Sequence, residues 1–321
     1  MRRATLFLTA TLALAAGCAP DASAPLSPDE LTSEHARRLS PAGAPIVVPG
    51  FATPESAVHD EIADVYLVSN VNGHPQGLSN DGFISRIAPD GSLLDREWIQ
   101  GGRDGVTLHA PTGMVLVGDV LYVADADAVR LFDRVTGAPL GAWPVPVTVE
   151  EGMVRGFLLN DVCAGPRGEI YLTQTGIDIT PEFDILRTGQ DAVYRFRNGT
   201  PVTVASGPDL MGPNGCWAVG ANVFITPLLS NQVYRLNPSG KRFHVATLPA
   251  GGLDGIVRVG GFFYITSVFD GFVFRMTTGG AQVTPILEGL VSPADLGFDA
   301  TRNRLLIPSL FGDVFTIQPL Q

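Results

Sequence analysis

The chain has 321 residues, of which 45% are hydrophobic, and it carries a formal net charge of −11 at pH 7. A chain of this length and composition can bury a large core, and no break in composition follows residue 46, so we expect one large domain there. The acidic balance argues against a nucleic-acid partner, because such partners are bound mainly through basic side chains.

The first 17 residues have the pattern of a secretory signal. Arg2 and Arg3 precede an apolar run, Leu6 to Ala16, that is short for a membrane span. The following Gly17-Cys18 resembles the end of a bacterial lipobox, which implies an acylated Cys18 and attachment to a membrane through a lipid anchor only. The alternative is ordinary cleavage that leaves Cys18 as a thiol. The signal predicts export across the inner membrane to the periplasm or cell envelope.

Residues 18–45 are rich in proline, alanine and serine. This composition is typical of a tether, and nothing in the segment requires a fold of its own. We therefore predict a signal peptide over residues 1–17, a tether over residues 18–45 and a folded domain over residues 46–321.

Six aromatic or aliphatic strand cores recur along the folded domain. They are Val65–Val68, Leu121–Ala124, Ile170–Thr173, Val223–Thr226, Phe263–Thr266 and Leu305–Pro308. A second strand and a turn rich in Gly, Asn or Pro follow most of them, and the cores lie about 40 to 56 residues apart, which is the period of β-propeller blades. The repeats predict an all-β, six-bladed propeller with four-stranded blades.

The sixth repeat ends one strand short of a complete blade. Ile46–Val48 precedes the first blade and belongs to no repeat, so we predict that it pairs with Asp313–Gln318 and closes the ring.

Two cysteines, Cys163 and Cys216, lie within the propeller. A disulfide is compatible with an oxidising compartment. Strands of different blades seldom approach within bridging distance, however, so we predict two buried thiols.

One column of residues carries the candidate chemistry. It lies 10 to 12 residues before the anchor of each strand core and contains, in blade order, Glu55, Thr112, Asn160, Asn214, Asp254 and Ala294. Equivalent strand starts in a propeller point at one place on the axis, so the four oxygen donors Glu55, Asn160, Asn214 and Asp254 are expected to converge. Carboxylate and amide oxygens suit one hard divalent cation, Ca²⁺ first, with Mg²⁺, Mn²⁺ or Zn²⁺ as alternatives. The competing interpretation is that Asn and Asp next to Gly are turn residues.

Four segments resemble signature segments of the senescence marker protein/gluconolactonase (regucalcin-like) family, and the similarity spans residues 50 to 318. They are Pro54-Glu55-Ser56, Leu159-Asn160-Asp161, Gly212-Pro213-Asn214-Gly215 and Leu253-Asp254-Gly255. The resemblance implies that Glu55, Asn214 and Asp254 bind a metal directly and that Asn160 lies at both metal and substrate. It also implies that Asp254 transfers a proton, which makes Asp254 and Asn160 the candidate catalytic residues.

The chain departs from this family at Leu158, where the lactonases carry an arginine that contacts the substrate. We therefore name Arg155, Arg103 and His109 as candidate substrate-binding residues, with a surface or loop role as the alternative for each.

Three functions remain open from the sequence. The first is a metal-dependent hydrolase of a lactone or related ester, acting on a small molecule as a monomer. The second is a non-enzymatic binding or scaffold propeller of the cell envelope with a structural Ca²⁺. The third is a propeller that acts through protein contacts alone, in which Asn160 and Asn214 are turn residues.

Overall fold

The structure is a computed structural model that describes residues 43–182 and 184–320. The predicted signal peptide, the lipidation of Cys18 and nearly all of the tether lie outside the described residues. Within them, the chain forms six four-stranded antiparallel sheets, which are the blades of a β-propeller. The predicted fold class is confirmed. A search of the described residues for helices long and apolar enough to cross a membrane finds none.

The first half of the ring is formed by three blades and two inserted hairpins. A strand before blade 1 is β1 (Ile46–Pro49). Blade 1 is β2 (Pro54–Asp60), β3 (Val65–Asn70), β4 (Phe83–Ile87) and β5 (Leu93–Gln100). Blade 2 is β6 (Met114–Val117), β7 (Val120–Ala124), β8 (Ala128–Asp133) and β9 (Pro139–Pro144), and a hairpin of β10 (Thr148–Glu150) and β11 (Met153–Arg155) follows it. Blade 3 begins with β12 (Leu159–Ala164) and β13 (Ile170–Gln174), is interrupted by a hairpin of β14 (Ile177–Ile179) and β15 (Ile185–Arg187), and ends with β16 (Ala192–Arg197) and β17 (Thr200–Ser206).

A single 3₁₀ turn, Pro208–Leu210, leads into the second half of the ring. Blade 4 is β18 (Pro213–Val219), β19 (Asn222–Pro227), β20 (Gln232–Leu236) and β21 (Arg242–Thr247). Blade 5 is β22 (Leu253–Val259), β23 (Phe262–Ser267), β24 (Phe272–Thr277) and β25 (Val283–Leu287). Blade 6 is β26 (Gly297–Asp299), β27 (Arg304–Ser309), β28 (Val314–Pro319) and, from the start of the domain, β1.

The core lies between neighbouring blades. The predicted strand cores are the second strands of the six blades, and each contributes residues to an apolar cluster shared with the next blade, as Leu67 of β3 and Leu121 of β7 do. Tyr66 is fully buried, and its hydroxyl donates a hydrogen bond to Asp299 of blade 6 (2.6 Å). Burying each large apolar side chain stabilises the fold by roughly 1.5–3 kcal/mol, so the inter-blade clusters hold the ring together.

The ring closes as predicted. β1 pairs with β28 in antiparallel register, with Ile46 opposite Ile317 and Val48 opposite Phe315. Val48 also packs in one buried cluster with Tyr66 of blade 1. The strand therefore completes blade 6 and joins it to blade 1, which removes the open edge of the sheet.

The predicted pair of buried thiols is wrong, because Cys163 and Cys216 form a disulfide. Cys163 lies on β12 and Cys216 on β18, which are the innermost strands of blades 3 and 4, and their Cα atoms are 5.8 Å apart. Innermost strands crowd around the axis of a propeller, so neighbouring blades do come within bridging distance there.

Candidate metal centre on the propeller axis

Each of the four predicted donors lies in a bulge of an innermost strand. The pairing of β2 with β3 is interrupted between Pro54 and Ala57, so that Glu55 leaves the ladder. The same interruption occurs in β12, β18 and β22, at Asn160, Asn214 and Asp254. Bulges re-aim side chains and are frequent beside active sites. The similar offsets in the sequence thus correspond to the same bulge in four innermost strands.

Threonine hydroxyls brace these bulges from the neighbouring blade. Thr173 of β13 accepts a hydrogen bond from the Asp161 amide (2.9 Å) and donates one to the carbonyl of Asn214 (2.6 Å). Thr226 donates in the same way to the carbonyl of Asp254. Each hydrogen bond contributes roughly 0.5–1.5 kcal/mol and fixes the strand that carries a donor.

A glycine lets the innermost strands approach one another closely. A Cβ atom on Gly113 would lie 2.4 Å from Asp161 Oδ1 and 2.9 Å from the Asn160 carbonyl oxygen. The Gly113 amide instead donates to that carbonyl (2.8 Å). The absence of a side chain at this position therefore allows blade 2 to support the strand of Asn160.

All four predicted donors are buried and line one cavity, which we call the axial cavity. Each has one side-chain oxygen that is inaccessible to solvent and has no hydrogen-bond partner: Glu55 Oε2, Asn160 Oδ1, Asn214 Oδ1 and Asp254 Oδ1. A buried oxygen without a partner is costly, and a native structure seldom leaves several together without a ligand. These orphaned oxygens fit a hard cation in their chemistry, and water or substrate oxygens would complete its coordination.

Two further carboxylates lie one residue beyond this column. Asp161 accepts a hydrogen bond from the Cys216 amide (2.7 Å), and Asp295 accepts one from the Ser56 hydroxyl (2.6 Å). Both are buried and line a second cavity of about 280 Å³ on the axis, together with the disulfide.

Burial raises the pKa values of all four acidic groups on the axis, and for Glu55, Asp161 and Asp254 the charge of a neighbouring carboxylate adds to the rise. Burial, and then the charges of Asp254, Asp295 and Asp161, raise the pKa of Glu55 well above its usual value. Burial and Asp295 do the same for the pKa of Asp254, and burial raises the pKa of Asp295 to about 7. Among residues 43–182 and 184–320, no Lys, Arg or His forms an ion pair with any of the four. A bound cation would supply the missing positive charge.

The axial cavity has a volume of about 190 Å³ and is mostly apolar around its donors. Leu158, which by the sequence resemblance stands where lactonases carry an arginine, is buried in its wall. The β14–β15 hairpin forms another side of the cavity, with Ile177, Ile179 and Ile185 among the lining residues. The donor set therefore lies at the base of a hydrophobic pocket.

Gln76 holds this hairpin against the loop of blade 1. Its amide nitrogen donates to the carbonyls of Phe157 (2.8 Å) and Ile177 (3.1 Å), and its carbonyl oxygen accepts from the Ile179 amide (2.8 Å). Gln76 is itself buried. The hairpin is thus a fixed wall of the cavity.

The three residues predicted to contact substrate do not line the axial cavity. Arg103 is exposed and forms an ion pair with Glu97 (3.4 Å). Arg155 ends the β10–β11 hairpin, where it pairs with Thr148. His109 Nδ1 accepts a hydrogen bond from the Asn80 amide (3.1 Å). The structure brings together the four donors and leaves these three outside.

His109 also forms a cluster with Asp125 and Asp127 whose side-chain atoms lie within 4.8 Å of one another. Arg130 already pairs with both carboxylates, at 2.8 Å from Asp125 and 2.5 Å from Asp127. Asp125 also accepts hydrogen bonds from the backbone amides of His109 and Ala110. The cluster therefore has its own cation in Arg130 and is a weaker fit to a metal than the axial donors.

The sequence analysis did not predict the apolar lining of the axial cavity, although four of its residues occupy the same position in their respective blades. Val71, Leu228, Val268 and Leu310 each directly follow the second strand of their blade, and all four line the axial cavity. A comparison of the residues four or five places after each strand-core anchor would have found them. The hairpin residues carry no such signal, because β14 and β15 are an insertion in one blade.

Fold and site together define a six-bladed β-propeller with a buried oxygen-donor centre on its axis. Solved structures share this fold. A candidate gluconolactonase is 20% identical, with 88% of this chain and 94% of that chain covered and a TM-score of 0.62. A regucalcin from Agrobacterium tumefaciens, described as a calcium-binding protein, is 16% identical, with 84% and 90% covered and a TM-score of 0.56. A streptogramin B lyase is 10% identical, with 87% and 98% covered and a TM-score of 0.58.

No protein-family model and no curated protein matches the chain. The structural likeness therefore shows that the chain has the propeller fold of gluconolactonase-like and regucalcin-like proteins. Since the three structures carry different descriptions, their likeness does not define an activity.

Proposed function

We propose that the protein is a metal-dependent hydrolase of a lactone or related ester, with one divalent cation held by Glu55, Asn160, Asn214 and Asp254. The observation that carries this proposal is the convergence of four buried, unpartnered oxygens in one cavity. Two carboxylates and two amides favour Ca²⁺, with Mg²⁺ or Mn²⁺ as alternatives and Zn²⁺ a poorer match.

The cation, when bound, would polarise a carbonyl oxygen and lower the pKa of a water molecule. The chain's own contribution centres on Asp254, a buried carboxylate that lines the axial cavity with the other donors. A carboxylate within hydrogen-bond reach of a water molecule can act as its general base. Asp254 would take a proton from the attacking water and return it to the leaving oxygen. The water oxygen bonds to the carbonyl carbon and the bond from that carbon to the ester oxygen breaks, so that a lactone gives a hydroxy acid and an acyclic ester gives a carboxylic acid and an alcohol.

The experiment has a binding arm and a catalytic arm. Calorimetric titration of Ca²⁺ into chelator-treated protein should show one site per chain, and Asp254→Ala should lower the affinity at least tenfold. Asp270→Ala is the matched control, because Asp270 is an exposed acid of the same blade. A panel of lactones and esters is then assayed with and without chelator. The proposal is refuted if no substrate shows metal-dependent turnover and Asp254→Ala equals the parent in both arms.

A second candidate function is a non-enzymatic propeller in which the cation is structural. It is favoured by the origin of the donors, which come from blades 1, 3, 4 and 5, so that one ion would tie four blades together. A large rise in thermal stability with Ca²⁺, without turnover of any lactone or ester, would select this function.

We also propose that the protein acts as a monomeric lipoprotein of the periplasm or cell envelope. The signal pattern ending at Cys18 supports export, and the Cys163–Cys216 disulfide supports an oxidising compartment. Labelling with a radioactive fatty acid, in the parent and in Cys18→Ser, tests the anchor. Equal labelling of the two would contradict it.

A further inference from the structure

We infer that the axial cavity selects a lactone or ester with a short hydrocarbon substituent and discriminates against polyhydroxylated sugar lactones. This inference rests on the proposed function, which it extends to a substrate class. It is carried by the lining of the cavity around the donors, which, apart from Thr53 and Thr112, consists of aliphatic and aromatic side chains.

The cavity has few groups that could bind hydroxyls. Apart from the four donors, the polar residues lining it, within the part of the chain that the structure describes, are Thr53 and Thr112. The Thr112 hydroxyl already contacts the Leu159 carbonyl (3.2 Å). No Lys, Arg, His, Ser or Gln lines this cavity among the described residues. A sugar lactone bound here would bury hydroxyls without partners, which is unfavourable.

The size of the cavity sets the size of the substituent. An apolar cavity of about 150 Å³ accommodates a benzene molecule. The axial cavity, at about 190 Å³, is slightly larger. It is therefore suited to a five- or six-membered ring whose carbonyl faces the donors and which bears a few additional carbon atoms.

Two phenylalanines extend the apolar surface to the rim. Phe269 and Phe311 are each 57% exposed and occupy equivalent positions, two residues after β23 and β27. The Phe269 ring lies against Gly252, where an added Cβ would be 2.4 Å from Phe269 Cδ2. Exposed aromatic side chains at the entrance of an apolar cavity are suited to contact a hydrocarbon chain entering from solvent.

The test uses the purified protein loaded with Ca²⁺ and a series of γ-lactones that are unsubstituted or carry a methyl, ethyl or propyl group. Gluconolactone is the polar comparator. Each added methylene should raise kcat/KM about fourfold until the cavity is filled, because a buried methylene contributes about 0.8 kcal/mol. Phe269→Ala should lower the ratio of kcat/KM for the propyl and unsubstituted lactones about tenfold. Leu140→Ala, an exposed leucine on the outer strand β9, should leave this ratio unchanged.

The outcomes separate this inference from the proposed function. If gluconolactone is hydrolysed best, or if kcat/KM does not depend on chain length, the inference is wrong while the hydrolase proposal stands. If no lactone of this series is hydrolysed, the hydrolase proposal is judged by the wider panel of lactones and esters and by Asp254→Ala, and the inference is judged separately by calorimetric binding of the same series to the Ca²⁺-loaded protein. Affinity that rises with chain length supports it, whereas no binding, or preferred binding of gluconolactone, overturns it.

Discussion

Reduction of the Cys163–Cys216 disulfide should destabilise the propeller by about 4 kcal/mol. The bond closes a loop with a sequence separation of 53 residues. The entropy that such a cross-link removes from the unfolded chain corresponds to about 4 kcal/mol at 25 °C. This is a large effect, because the free energy of unfolding of a domain is typically about 5–15 kcal/mol.

The measurement is chemical denaturation of the oxidised and the reduced protein. Reduction leaves both side chains in place, so the difference reports the bond and not a change in side-chain volume. The free energy of unfolding of the Cys163→Ala/Cys216→Ala variant should match that of the reduced protein, apart from the effect of removing two buried sulfur atoms. Adding reductant should not change the stability of this variant.

The bond also joins the strands that carry Asn160 and Asn214, and the Cys216 amide donates a hydrogen bond to Asp161. Reduction should therefore lower the affinity for Ca²⁺ as well. Equal denaturation midpoints for oxidised and reduced protein would refute the stability argument, and unchanged Ca²⁺ affinity would refute the link to the site.

Three further predictions concern single residues. Thr226→Val keeps the shape of the side chain but removes the hydroxyl that contacts the Asp254 carbonyl, and urea unfolding should show a loss of roughly 1–3 kcal/mol that the exposed Thr203→Val does not show. Gly113→Ala places a Cβ against Asp161 and should cost roughly 1–3 kcal/mol in urea unfolding, whereas Gly261→Ala, with open space around it, should be nearly neutral; equal effects would argue against close strand packing. Burial raises the pKa of Asp191, so the folded protein holds the proton of this carboxyl group more tightly than the unfolded chain does. The stability that the protonated group contributes is fully present below the unfolded-state pKa, about 3.9, and is lost as pH rises through the folded-state pKa. Asp191→Asn should consequently gain stability over the parent in urea unfolding as pH rises above the unfolded-state pKa, and a difference that does not change with pH would contradict the assignment.

The sequence was sufficient to predict the fold because the same strand pattern recurs in six segments of the chain. Six strand cores with similar spacing predict six blades, and the unpaired Ile46–Val48 predicts the closing strand, which the pairing with β28 confirms. The convergence of Glu55, Asn160, Asn214 and Asp254 followed from the same reasoning, since a residue at one offset in every blade must face the same axis. Their role as ligands stays a prediction.

The remaining features depend on distances between blades, which a period along the chain does not give. The disulfide was predicted wrongly because the separation of β12 from β18 at the axis is a property of the closed ring. Leu158 was recognised as a missing arginine, but its apolar surroundings include the β14–β15 hairpin, and within the described residues this insertion has no equivalent in the other blades. Arg103 and Arg155 were named for their charge, but Arg103 lies in an exposed loop and Arg155 in the β10–β11 hairpin, and residue type does not determine where such segments lie.

The closing strand also has a consequence for the order of folding. β1 is among the first segments of the propeller to be synthesised, and its partner β28 is the last strand described. Contacts between such distant segments form slowly, because the intervening chain must first be brought together. Blade 6 therefore cannot assemble during synthesis or translocation of the earlier blades. If the protein is exported in an unfolded state, as the proposed localisation implies, its ring closes only after its last strand has crossed the membrane, and until then β1 has no partner strand.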